Sequence, residues 1–183
     1  MTSVAAESPV SWLSTETFTD ACSALPLVSI DLMITRPGKD GEELLLGLRT
    51  NRPAKGWWFS PGGRIRKNEP LHQAMQRIAV SELNLAKALY LRATLLGAWD
   101  HFYPDSAFSS AVSTHYVNLA HWIRLDGVEA RTIEPPMGAE HQHAAWQWMP
   151  LEEVARSELV HEYVQRCSSV VASILIGSAL KPT

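Results

Sequence analysis

Two rhythms of apolar and polar residues run along this chain. Residues 27–34 are almost continuously apolar, broken only by Ser29 and Asp31, so they predict a strand buried on both faces. Just before it, Thr15–Ala24 has helical spacing, an acid (Glu16) in its first turn where the helix dipole favours one, and Pro26 as a stop. The cluster at 36–41 predicts a turn, and 43–49 a returning strand, which together make a hairpin with a long loop. Residues 57–60 form a short aromatic strand running into Pro61, Gly62 and Gly63. Leu71, Ala74, Met75 and Ile78 then recur at helical spacing. They predict a helix over 69–83, with Asn68 as its N-cap and Pro70 in the first turn, where a missing N–H costs nothing. Further strands are expected at 95–103, 112–125 and 146–149, followed by a helical turn at Glu152 and Glu153 and a last helix over 157–175. Strands early in the chain and a helix after a glycine turn indicate an α+β protein or an α/β/α sandwich around a mixed sheet.

Composition narrows the function classes. The 183 residues suit one domain with its own core, and 46% hydrophobic with 19% charged residues is the balance of a globular chain. A formal net charge of −3 provides no global basic field for a nucleic acid polymer or a membrane, so any cation that matters is local. Cys22 and Cys167 are too few for a disulfide framework or a cysteine metal site and read as reduced thiols. The first residues lack a basic-then-apolar leader, and no apolar run is long enough to span a bilayer, so a cytoplasmic protein is expected.

The candidate chemistry lies between Gly62 and Leu85. Gly62 and Gly63 alone would be an ordinary turn. With Glu69, Arg77 and Glu82 following at fixed spacing they are a motif. Glu69 reads as a structural acid at the start of the helix, paired with a nearby arginine such as Arg77. Asp31 stands in an apolar strand, where an unpaired carboxylate is costly, so a paired or functional role is expected. His115 is read as structural, and His72, His121 and His161 as surface positions. Trp57, Trp58 and Trp99 are core residues that could also line a base or sugar pocket.

This segment resembles the signature of the Nudix hydrolase family, G-x5-E-x7-R-E-U-x-E-E-x-G-U, where U is a bulky aliphatic residue. Gly63, Glu69, Arg77, Glu82 and Leu85 fit it. Ile78, Ala79, Ser81 and Asn84 depart from it. The signature's helix glutamates share one face and hold several hard cations, whereas this helix keeps only Glu82. One carboxylate predicts a single Mg²⁺ (or Mn²⁺) and argues against two-metal attack on phosphorus. The same departures resemble the GDP-mannose mannosyl hydrolase branch. So do Pro26 to Asp31, Arg49 to Ala54, Trp58-Phe59, His101-Phe102-Tyr103, Thr114 to Val117 and Gln142-His143, over about residues 20–150.

The resemblance implies a Nudix-type α/β/α sandwich over residues 21–183, with residues 1–20 as an extension placed to help a homodimer form. It implies that the Gly62 carbonyl, Glu82 and the side-chain oxygen of Gln142 bind the metal and that His143 is the general base. Arg49, Arg64 and Arg77 would neutralise the diphosphate, Tyr116 would hydrogen-bond to it, and Asp31 and His101 would act near the sugar. His141 flanks Gln142 on its other side and is the alternative base; the Gln-His order favours His143. The implied reaction is hydrolysis of GDP-mannose or GDP-glucose at the anomeric carbon, giving GDP and free hexose. The rivals are a Nudix pyrophosphatase that cuts at phosphorus and a nucleotide-binding module without catalysis.

Overall fold

A computed structural model describes residues 12–136 and 142–179. Helix α1 (Thr15–Ala24) forms where expected, its first turn capped by Ser14, whose hydroxyl accepts from the Thr17 N–H at 3.1 Å. Seven strands follow: β1 (Leu27–Pro37), β2 (Glu42–Arg49), β3 (Trp58–Phe59), β4 (Gly62–Arg64), β5 (Thr94–Tyr103), β6 (Thr114–Arg124) and β7 (His143–Pro150). Helix α2 (Leu71–Leu83) and the short α3 (Lys87–Tyr90) lie between β4 and β5; α4 (Leu151–Val154) and α5 (Glu162–Ala179) close the chain. Parallel pairing of β1 with β6 among antiparallel neighbours makes the sheet mixed, as expected.

The sheet is split, and the split makes room for a site. β1 and β2 pair over only three positions, from Thr35 opposite Leu44 to Pro37 opposite Glu42. Beyond Thr35 they diverge: β1 takes β4 as its neighbour, while β2 takes β3 and β7. The connection at their tip is short and closed by the Gly38 N–H donating to the Gly41 carbonyl at 2.7 Å, not the long loop expected.

Alternation along β1 then divides two cores. Ile30, Leu32 and Ile34 pack against Ala74, Ile78 and Leu83 of α2. Met33 joins Leu44, Leu46 and the α5 residues Tyr163, Val164 and Val171 on the other face.

Several predicted elements differ in their bounds, and some of the differences have identifiable reasons. Asn68 does not cap α2: it takes a left-handed φ of 63°, and Pro70, extended at φ −61° and ψ 147°, occupies the cap position. The helix therefore starts at Leu71, which is exposed, and its buried face is Ala74, Met75, Ile78, Ala79 and Leu83. The last helix begins at Glu162 rather than 157, because the preceding residues pair with β3. The Trp58 N–H donates to the Leu159 carbonyl at 3.0 Å and the His161 N–H to the Trp58 carbonyl at 3.2 Å. Finally, β4 went unrecognised as a strand because two of its three residues are glycine.

Glu69 pairs with Arg77 as expected: Nε and Nη2 donate to Oε1 and Oε2, both at 2.7 Å. Arg77 Nη2 also donates to the Arg64 carbonyl at 2.9 Å, tying α2 to β4. The two donors from Arg77 hold the Glu69 carboxyl below its ordinary range. The Glu69 side chain is 5% exposed and that of Arg77 27%. We therefore expect Arg77→Met to cost about 2 kcal/mol, below the loss from breaking a fully buried pair, and Arg77→Lys to recover only part of it because lysine lacks the planar fork. Urea midpoints for the three proteins check this; equal midpoints would remove the pair's structural role.

Candidate active site

The split opens into a cleft of about 660 Å³, within the usual size of a small-molecule site. Asp31, Arg49, Gly62, Arg64, Arg77, Glu82, His101, Tyr116, Gln142 and His143, the ten positions expected from sequence, all line it. His141 lies outside the described residues. Trp57, Trp58 and Trp99 are not among the lining residues, whereas Trp146 and Trp12 are.

Arg49 joins the two sides. Its Nε donates to the Pro53 carbonyl at 2.9 Å, Nη2 to Asn51 Oδ1 at 3.1 Å and Nη1 to Gln142 Oε1 at 3.3 Å. Burial pushes its pKa down, while Tyr103, Asp31 and Glu82 push it up, so the guanidinium feels both halves of the cleft.

On the α2 side, Gln142 Nε2 donates to Glu82 Oε1 at 3.1 Å, and His143 Nδ1 stands 3.7 Å from Glu82 Oε2. Burial raises the Glu82 carboxyl to about 7 against the lowering effects of Arg49 and Gln142. His143 is 1% exposed, lies against Trp146 at 4.5 Å between ring centroids, and has no hydrogen-bond partner at Nε2. Burial, with Arg49 nearby, pulls it down to about 3. Both effects favour the neutral ring. Nδ1 is the nitrogen that faces Glu82, and Nε2 is buried without a partner. Gly47 makes room for the ring, since a Cβ there would lie 2.4 Å from His143 Cδ2.

On the other side, Asp31 stands opposite Gly62 in the β1–β4 register. A Cβ on Gly62 would come within 2.3 Å of Asp31 Oδ1, so only glycine fits. The Leu32 N–H donates to Pro61 and the Ile65 N–H to Val28. In the alternation of an antiparallel ladder, this makes Asp31–Gly62 a non-hydrogen-bonded pair and leaves the Gly62 carbonyl outside the β1 ladder. Burial lifts Asp31 to about 7, opposed by Asn118, Arg49 and Ser60. Tyr116 is lifted to about 12 by burial.

His101 is buried and stacked on Tyr163, with centroids 4.0 Å apart and planes within 5°. Tyr163 is itself fixed: its hydroxyl accepts from the Phe102 N–H at 2.7 Å and donates to the Phe102 carbonyl at 2.8 Å. His161, expected at the surface, instead packs against Trp57, Phe59, Tyr103 and Tyr163. His115 pairs with Asp100 at 2.9 Å, in keeping with a structural role.

Burial and His161 lower His101 from 6.5 to about 4. The fold accepts the neutral ring, so its contribution is complete above 6.5 and is lost as pH falls toward about 4. At 1.36 kcal/mol per pKa unit the full loss is about 3 kcal/mol. Asp31 and Glu82 shift the opposite way, so the informative quantity is a difference. Between about pH 7 and pH 5, wild type should lose more stability in urea than His101→Gln. Parallel pH profiles would count against a buried neutral His101.

Gln142 is hydrogen-bonded to Glu82 through its amide nitrogen, with its oxygen toward Arg49, and Gly62 lines the same cleft; a carboxylate, an amide oxygen and a backbone carbonyl are the donor types a hard cation takes. Burial raises both Asp31 and Glu82 to about 7, so a cation bound beside either carboxyl would favour its ionised form. Among the described residues no group of three or more His, Cys, Asp or Glu could hold a metal. Sequence reading missed Trp12, Phe18 and Phe108 at the mouth of the cleft. Trp12 and Phe18 precede the first strand, and Phe108 lies in a loop where nothing marks it.

Comparison with known proteins agrees with this geometry. Low-salt glycan biosynthesis protein Agl8 of Haloferax volcanii is 33% identical over 147 residues, 75% of this chain and 90% of that protein. The NUDIX domain of Shewanella oneidensis NrtR, solved with ADP ribose, superposes with a TM-score of 0.63 at 16% identity, covering 90% of this chain and 99% of that one. A MutT NUDIX hydrolase from Burkholderia pseudomallei superposes with a TM-score of 0.58 at 25% identity, covering 80% and 98%. The family's hydrolases generally use divalent metals such as Mg²⁺ and act on nucleoside diphosphate substrates. No described helix is long and apolar enough to cross a membrane. Residues 26–166 match the family described as NUDIX domain, and with the split sheet and the Glu82 cleft this chain belongs to the Nudix hydrolases.

Proposed function

We propose that the protein hydrolyses a GDP-sugar, GDP-mannose or GDP-glucose, at the anomeric carbon, releasing GDP and free hexose. The carrying observation is what α2 presents to the cleft. Ile78 is buried in the core beneath Gly63, Ser81 brings only a hydroxyl, and Glu82 is the one carboxylate. The printed name of the Haloferax volcanii relative, a glycan biosynthesis protein, supports a sugar context.

Glu82, the Gln142 side-chain oxygen and the Gly62 carbonyl would hold one Mg²⁺; Mn²⁺ takes similar oxygen ligands and would serve too. The ion would supply charge stabilisation for the departing diphosphate. Arg49 and Arg64 add positive charge where that negative charge develops, Tyr116 donates a hydrogen bond to it, and Arg77 contributes the nitrogen that Glu69 leaves free. His143 Nε2 accepts a proton from water as the water oxygen bonds to the anomeric carbon. The carbon–oxygen bond to phosphate breaks on the opposite face, and its electron pair leaves with GDP. This inverts the sugar and needs no second carboxylic acid, because the diphosphate departs unprotonated. Asp31 and His101 orient the sugar. A homodimer and a cytoplasmic location belong to the same reading.

The test is hydrolysis of GDP-mannose with Mg²⁺ in ¹⁸O-water. Label in mannose with unlabelled GDP is the expected result. Label in GMP or mannose-1-phosphate would replace this reading with a pyrophosphatase. A protein that binds GDP-sugars without turnover would be a binding module.

A further inference from the structure

We infer that Trp12, Phe18 and Phe108, with Arg64 and Arg66, form the shelf on which the base of the nucleotide stacks. The segment before the first strand is then part of the substrate site. This rests on reading the cleft as a nucleotide-sugar site and assigns the end of the substrate that reading leaves without contacts.

The argument starts from β4. Gly62 and Arg64 lie opposite Asp31 and Ser29, and all four line the cleft, so alternate residues of this strand face the ligand. Two strand steps place Arg64 roughly 6.6 Å beyond Gly62, away from the metal-binding end. There its guanidinium lies 5.3 Å above the ring of Phe18 in α1. Arg66, two residues further on and also lining the cleft, covers Trp12 at 5.1 Å. Phe18 meets Phe108 edge to face at 5.4 Å and 89°, so a loop between β5 and β6 brings a third ring to the same lip.

Exposure separates their roles. Phe18 is 6% exposed and anchors the cluster, while Trp12 at 78% and Phe108 at 54% present their rings to solvent. A single exposed aromatic is ordinary. Trp12 and Phe18 from the segment before β1 and Phe108 from the β5–β6 loop all line the cleft beside Arg64 and Arg66, and form a surface for a flat heterocycle. Aromatic faces and arginine planes are what nucleobases stack on. Contacts set the ligand's direction. Phe18 and Trp12 lie against Arg64 and Arg66, Arg64 is two residues from Gly62, and Arg49 bonds Gln142, which bonds Glu82. A molecule with an aromatic base at one end and a diphosphate in its middle matches that order.

Calorimetric titration of GDP and of inorganic pyrophosphate, both with Mg²⁺, separates the base from the phosphates. Wild type should bind GDP more tightly than pyrophosphate. In Trp12→Ala/Phe108→Ala, GDP affinity should fall at least about tenfold while pyrophosphate affinity stays unchanged. Both side chains are exposed, so unchanged melting temperature is the folding control. Undiminished GDP affinity in that variant would overturn the shelf. So would equal affinity of wild type for the two ligands, or no GDP binding at all. Wild type that binds GDP through these residues yet leaves GDP-mannose uncut would uphold the shelf and overturn only the proposed reaction.

Discussion

Glu82→Gln is expected to lower kcat by about a thousandfold or more while leaving the fold intact. The substitution keeps the shape of the side chain and its contact with Gln142 but removes the one carboxylate that α2 turns to the cleft. A thousandfold is ~4 kcal/mol of lost transition-state stabilisation, within what a bound divalent ion supplies to developing charge. Stability should move the other way. Burial raises this carboxyl to about 7, so ionising it costs the metal-free fold free energy that an amide does not. In chelator, the variant should therefore melt at or above the wild-type temperature. Added Mg²⁺ should raise the melting temperature of wild type and leave that of the variant unmoved. Turnover within tenfold of wild type would remove Glu82 from the metal site.

His143→Ala should lower kcat by about a hundredfold to ten-thousandfold, the range for a general base, without weakening GDP binding. His143 lines the cleft, its Nε2 is buried without a partner, and Glu82 stands 3.7 Å from Nδ1. This is the arrangement in which a carboxylate steadies an imidazolium formed during reaction. Because the ring is packed on Trp146 and over Gly47, the alanine variant also leaves a cavity. His143→Gln fills the space without a comparable base and should be as inactive, but more stable. Full activity in both variants would dismiss His143, and His141 would be tested next.

Much of the fold and the site was legible in the chain because local rules and spacing suffice there. The unbroken apolar run of β1, the helical spacing of α2 and the stop at Pro26 each report a burial pattern that one element imposes on its own residues. The Glu69–Arg77 pair was foreseeable from charge, an acid just ahead of α2 and an arginine within it. The ten candidate residues were identified by a motif and its flanks, and all of them line one cleft.

What pattern could not reach depends on partners distant in sequence. β4 carries no strand signal because its glycines exist to let Asp31 and Ile78 approach, a demand visible only once β1 and α2 are in place. The start of α5 is set by β3, whose backbone takes hydrogen bonds from residues that would otherwise extend the helix. The pKa values of His143, Glu82 and Asp31 come from burial, which no spacing encodes. The aromatic lip likewise joins Trp12, Phe18 and Phe108 across most of the chain. Sequence alone thus determined most of the elements and which residues to expect at the site, since both follow from local periodicity, a spaced motif and its flanks. The tertiary structure decided that those residues share one cleft and in which direction burial shifts their pKa values, because desolvation and close approach depend on the whole packed molecule.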